Sequence, residues 1–287
     1  MKAPSGAAPS AGAATRPLPA EPAQPAARRL PAFGDVFPPL LSAVIGFGLW
    51  EGLVRYFKTP TFVLPPPSLV VVEMVEAWQY LLSQLAWTVM AAAIGVAIAI
   101  VLGIAAGIGI ALSRLVDRML TSWLVVIHAI PKVVIAPLFL IWFGFGLQSE
   151  VFFVVVFTFF PVVVATITGL KSADPDLLQL VRSMGATPTQ VLRKILLPSA
   201  LPTMLSGVKL AISLAPVGAV IGEFVASNQG LGHLLIRAVG DMDTPLAFAA
   251  VTLFSIFGVL LWRAAEYVEG KLLPWHPSQR GDLKLRQ

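Results

Sequence analysis

The sequence predicts an all-α fold, a polytopic membrane bundle of about six transmembrane helices. Three observations carry that prediction. The 287 residues are 57% hydrophobic and 12% charged, whereas an ordinary soluble domain is about 45–50% apolar and about 25% charged. Half the usual charge cannot cover a water-soluble globule of this size, so lipid must solvate much of the chain. Six apolar stretches follow residue 32, each near the ~20 residues that carry a helix across the hydrocarbon layer at about 1.5 Å per residue. Lys and Arg then concentrate in alternate connecting segments, which is how a multi-pass protein encodes its orientation.

Residues 1–32 are mostly Ala and Pro with Ser, Gly and scattered Arg. They offer no periodic apolar face to bury, so a disordered cytoplasmic tail is expected. They make a poor signal peptide, because the apolar run that follows comes late and is long enough to span. Residues 33–270 form the expected transmembrane domain, with 271–287 as a cytoplasmic tail.

The expected spans are Phe37–Phe57, Leu85–Leu112, Leu120–Phe145, Val151–Leu170, Met204–Ala226 and Leu246–Tyr267. Val151–Val164 is rich in β-branched residues, but in lipid a segment of that length must satisfy its own backbone, so helix is expected. Between the first two spans, Pro65-Pro66-Pro67 forbids a continuous helix and Ser68 can cap a short external surface helix. No internal repeat is visible.

With the N-terminus inside, the inner segments hold Arg114, Arg118, Lys171, Arg182, Arg193, Lys194, Arg263 and Lys271, and the outer ones only Arg55, Lys58 and Arg237. Both termini are therefore expected in the cytoplasm of a cell-membrane protein. These charges form no basic stripe interleaved with aromatics, which excludes nucleic acid as a partner. The absence of cysteine excludes disulfides and thiolate metal sites. His128, His233 and His276 lack the spacing of a zinc site.

The informative loop lies between the fourth and fifth spans, at residues 173–203. Asp174 can cap a helix with Pro175 in its first position, and Gly185 supplies a left-handed stop. Thr187, Pro188 and Gln190 then form a second helix start with a capping-box pattern. Pro198 and Pro202 are expected to delay the next span. The result is a rigid helix–turn–helix carrying Arg182, Arg193 and Lys194.

Gly185, Ile195 and Leu197-Pro198 stand at the spacing of the cytoplasmic loop signature of ABC-type importer permeases, which this chain resembles. The segments Ile130–Gly144 and Gly222–Gly232 are similar to the nitrate, sulfonate, taurine and pyrimidine-precursor branch. The resemblance covers about residues 36–270. It implies a type I importer permease fold and a loop that docks as a coupling helix on an ATPase subunit, through Gln179, Arg182, Gly185, Ala186, Thr187, Gln190, Arg193, Ile195, Leu197 and Pro198. The family's usual Glu-Ala-Ala is replaced by Gln179-Leu180-Val181, which removes an acidic group from that loop. It further implies a solute-binding protein outside, cytoplasmic ATPase subunits and a second permease copy forming a homodimer in membrane lipid.

Inside the membrane, an ionisable group costs about 2.5–3.5 kcal/mol on insertion scales, so each needs a reason. His128 and Lys132 are four residues apart and are expected to share a helix face. Either they line a path for an anionic or carbonyl-bearing solute, or Lys132 pairs with a carboxylate or a carbonyl freed by Pro131 and Pro137. Glu223 can contact the solute near the external mouth or pair with Arg237. Asn228, in the Gly-rich segment Ser227–Gly232, completes the candidate path. Lys209 is expected to snorkel at the inner surface, and Gly103 and Gly107 to pack against another helix.

No phosphate-binding Gly-rich loop of the Gly-Lys-Ser/Thr type occurs. The chain is therefore expected to bind no cofactor and to depend on ATP used by a partner, acting as a transport subunit and not an enzyme. An ion-coupled secondary transporter or channel is the alternative, needing intramembrane carboxylates of its own. An intramembrane hydrolase would have to pair a nucleophile with His128.

Overall fold

A computed structural model describes residues 33–113, 115–119, 123, 126 and 130–272. Among them the elements are helical: α1 (Phe33–Tyr56), α2 (Pro67–Glu76), α3 (Trp78–Leu112), a 3₁₀ turn (Lys132–Ile135) leading into α4 (Ala136–Phe143), and α5 (Leu147–Lys171). Then come α6 (Pro175–Ser183), α7 (Pro188–Val191), a π turn (Leu192–Leu196), α8 (Leu197–Ala226), α9 (Leu231–Gly240) and α10 (Thr244–Leu272).

Five helices among the described residues are long and apolar enough to cross a membrane. The third expected span, Leu120–Phe145, lies partly outside the described residues, and within them its helix is interrupted at Pro131. Pro131 is extended at φ −62°, ψ 106°, and α4 is short. Proline has no N–H and its ring crowds the preceding turn, which favours the interruption seen at residue 131. Pro137, by contrast, sits in the first turn of α4, where no amide is needed.

Pro198 and Pro202 do not delay the following span either. Residues Pro188–Ala226 form one 39-residue helix. The π turn just before Pro198 widens the ladder locally, and Pro198 lies in the first turn after it. Lipid makes this continuity worthwhile, because any freed backbone group there must find a partner inside the protein.

The bundle is organised around α5. Gly95, Gly103 and Gly107 of α3 lie against Val154, Val162 and Thr166 of α5, so closely that a Cβ on any of the three would collide. The constant offset between these pairs means that α3 and α5 run parallel. Ala91 and Ala99 continue the same four-residue spacing and are fully buried. Helix α5 also receives Gly207, Gly218 and Gly222 of α8 against Ala165, Val154 and the Glu150 backbone. There the residue numbers run in opposite directions, so α5 and α8 are antiparallel. Without a strong hydrophobic drive between helices in lipid, such close approach gains contact by dispersion.

The two ends of the bundle are closed differently. At one end Leu170, Ala200 and Met204 pack with Ile104, Ala111 and Leu196. At the other, Val70, Leu81, Leu231, Leu234 and Ala250 join α2, α9 and the starts of α3 and α10. Helix α1 meets the body near its C-terminal end. The Trp50 and Phe248 rings are 5.6 Å apart, and Glu51 accepts the Ser68 backbone N–H at 3.0 Å and its hydroxyl at 2.8 Å. Ser68 therefore does not cap α2 with its own oxygen. A carboxylate from α1 takes the orphan amide instead.

Candidate functional site

The segment between α5 and α8 folds as two capped arms. The Asp174 carboxylate accepts the Asp176 N–H at 2.8 Å, with Pro175 opening α6. Gly185 ends that arm at φ +80°, a conformation that costs an L side chain about 1–2 kcal/mol. Thr187 and Gln190 then cap each other: Thr187 N–H donates to Gln190 Oε1 at 2.8 Å, and Gln190 N–H to Thr187 Oγ1 at 3.4 Å. Because α7 continues through the π turn into α8, the second arm and the span beneath it form one rod.

The first arm is amphipathic, and its apolar side is open. Leu177, Leu180 and Met184 are exposed, Met184 at 78%. A concavity of about 420 Å³ between the arms is lined by Val181, Met184, Ala186, Gln190, Lys194 and Ile195. Gln179, Arg182, Gly185, Thr187, Arg193 and Pro198 are exposed around it, while Ala186, Ile195 and Leu197 are half-buried. The expected loop residues thus gather on one projecting surface that combines apolar side chains with cationic ones.

At the far end of α5 a polar knot fastens three helices and a turn. The Trp87 indole N–H of α3 donates to both oxygens of Glu150, at 3.0 and 2.8 Å. Gln84 Oε1 accepts the Gly230 N–H at 2.7 Å, Thr88 Oγ1 the Leu231 N–H at 3.0 Å, and Glu223 the Gly232 N–H at 2.5 Å. Three successive orphan amides of the α9 N-terminus are therefore taken by side chains of α3 and α8. Glu223 is 1% exposed.

Glu223 does not pair with Arg237, which instead approaches Asp241 at 3.7 Å on the surface. A buried carboxylate is better matched by aligned amides at a helix start than by a long cationic chain that water also solvates. Asn228 is exposed on the turn below. Sequence reasoning passed over Gln84, Trp87 and Thr88; their signal is the run of hydrogen-bonding side chains at the polar start of an otherwise apolar helix.

Lys132 is half-buried, with its ammonium 5.0 Å from the centre of the Phe157 ring. Among the described residues no carboxylate lies within ion-pair distance of it. His128 lies outside the described residues. No single helical face unites the two positions, because the chain is non-helical at Pro131. Phe157 itself packs against the buried cluster of Ala136, Phe139 and Phe153. Lys209 is tied to Glu269 at 3.0 Å and stacks 4.6 Å from the Trp262 ring, joining α8 to α10. It does more than snorkel.

Comparison with known proteins places this geometry. Residues 99–273 match the family of binding-protein-dependent transport system inner membrane components. The chain is 35% identical over 232 residues to the formylaminopyrimidine transport permease protein ThiX of Halalkalibacterium halodurans, covering 80% of this chain and 92% of that one. It is 38% identical over 234 residues to the riboflavin transport system permease protein RibX of Chloroflexus aurantiacus, covering 80% and 86%. The inward-facing MetNI methionine ABC transporter shares the fold, with a TM-score of 0.58 at 21% identity over 66% of this chain and 95% of that one. The chain belongs to the binding-protein-dependent transport system inner membrane components, the permease subunits of ABC-type importers.

Proposed function

We propose that this permease carries a small anionic or zwitterionic solute inward across the cell membrane, driven by ATP hydrolysed on partner subunits. The observation that carries the proposal is the Asp174–Pro198 surface. Both its arms are capped, its apolar side chains are open, and its second arm is continuous with a spanning helix. A protein gripping that surface moves α8 directly, and α8 is locked to α5 by glycine contacts. Such rigid-body coupling suits alternating access.

The remaining assembly follows from the family. Two copies of the chain enclose the path, a solute-binding protein docks at the end that holds the polar knot, and the loop end with both termini faces the cytoplasm. The solute names attached to ThiX and RibX support a small polar cargo, with Lys132 as the group that recognises it. The ion-coupled alternative needs a carboxylate free to load and unload. Glu150 is instead held by the Trp87 indole, and Glu223 is tied through Oε2 to the Gly232 N–H, its buried Oε1 having no partner among the described residues.

Co-purification tests the proposal. The tagged chain should bring an ABC ATPase out of native membranes, and Met184→Glu should lose it while remaining folded. An extract that preserves other ABC complexes but yields no ATPase with the wild-type chain would count against it.

A further inference from the structure

The cation of Lys132 sits over the Phe157 ring, 5.0 Å from its centre, at the edge of a packed aromatic cluster. Phe157 packs against the buried cluster of Ala136, Phe139 and Phe153, against which Ile135 before α4 and Ile221 and Val225 of α8 also pack. Behind it Phe139 packs edge-on against Phe153, with centroids 5.0 Å apart, and against Phe152 at 4.7 Å. This ring cluster cannot yield without disturbing three elements. Lys132 has a four-carbon arm and no carboxylate partner among the described residues, and its contact is the Phe157 ring.

Depth matters as well. Phe157 is the eleventh residue of the 25-residue α5, so Lys132 meets it about 15 Å along the span at 1.5 Å per residue. An uncompensated charge at mid-depth must face protein or water, not lipid. The backbone beside it is irregular at Pro131, and irregular backbone at that depth is tolerated where it lines a cavity or is buried in protein. The described carboxylates of the neighbouring spans, Glu150 and Glu223, are bound elsewhere. The counter-charge for Lys132 is therefore not supplied by the elements packed around it.

Resting on the importer function proposed above, we infer that Lys132 and Phe157 form a cation–aromatic subsite that selects planar, π-bearing solutes carrying an anionic or carbonyl edge. The solute's flat face takes the place of the lysine against the Phe157 ring, and its electron-rich edge takes the ammonium. A saturated ring of the same charge satisfies Lys132 but leaves the aromatic wall poorly covered.

Two matched pairs of probes test this: orotate against dihydroorotate, and benzenesulfonate against cyclohexanesulfonate. Saturation-transfer NMR on the intact importer in nanodiscs reads their weak binding directly. The wild type should favour the planar member of at least one pair about tenfold. Phe157→Leu should erase that preference while retaining anion binding, and Lys132→Gln should weaken both members about tenfold. Lys132→Arg, which keeps the charge, should restore binding.

Equal binding of planar and saturated probes, or no binding of any probe at millimolar concentration, overturns the subsite. So does a Lys132→Gln protein that loses its second copy, since the missing counter-charge would then come from the dimer. If the ATPase still co-purifies in these cases, the importer function stands and the subsite alone falls.

Discussion

Glu223, near the end of α8, accepts the backbone N–H of Gly232 at 2.5 Å, nine residues further along the chain. The bond closes the turn between α8 and α9 from inside, and its glycines are required by it. Gly230 lies at φ +98°, and a Cβ there would run into the Glu223 carboxylate. Replacing Glu223 with Ala removes the acceptor from a buried amide, a loss of about 1–3 kcal/mol. Thermal unfolding in detergent should show that loss. Glu223→Gln keeps an acceptor oxygen and should recover most of it, and amide exchange at residues 230–232 should accelerate in the Ala variant first.

Two glycines with positive φ separate conformational strain from collision. At Gly185, with φ +80°, an added Cβ would meet nothing within 4 Å, whereas at Gly230 it would meet the carboxylate. Gly185→Ala should therefore cost only the backbone penalty of about 1–2 kcal/mol. Gly230→Ala should cost clearly more and should displace α9. Equal stability losses in the two variants would remove the packing role assigned to Gly230.

The α3–α5 seam makes a sharper contrast. Gly107 is pressed against Thr166, while Gly109, two residues on, has open space. Gly107→Leu should destabilise the protein by about 1–3 kcal/mol or more through overpacking. Gly109→Leu should be close to neutral. The comparison holds composition and helix propensity constant, so any difference in unfolding midpoint or yield reports the seam.

Lys209 and Glu269 join α8 to α10, with side chains 19% and 13% exposed. Removing one partner leaves the other charge poorly solvated. The losses from Lys209→Met and Glu269→Gln should therefore add to more than the loss in the double variant. A double-mutant cycle on thermal stability should return a coupling of about 0.5–3 kcal/mol. Additive losses would mean that the pair contributes nothing beyond packing of the lysine stem on Trp262.

The loop and the lipid-facing character were legible in the sequence because both are local. Capping pairs such as Thr187 and Gln190 act over three residues, and apolar length is read by counting. The α3 seam was only partly visible: Gly103 and Gly107 announced close packing, but Ala91, Gly95 and Ala99 extend it only once α5 is seen opposite. In the third stretch the effect of Pro131 was read as a kink, and the described backbone there is a break. Pro198 misled in the other direction, since a π turn let the helix pass. The partners of Glu223 and Glu150 lie on other helices, up to 63 residues away for Trp87, and no local pattern pairs them.

If the Asp174–Pro198 surface transmits ATP-driven motion into α8, distorting the turn between its arms should uncouple transport from hydrolysis. The most direct measurement is the ratio of solute uptake to ATP hydrolysis for the importer in proteoliposomes, comparing wild type with Gly185→Val. A β-branched residue is strongly disfavoured at positive φ, so that turn should distort while the spans stay intact. Uptake per ATP should then fall at least tenfold in a complex that still assembles and still hydrolyses ATP. An unchanged ratio, with the loop verifiably distorted, would contradict the transmission role of this surface.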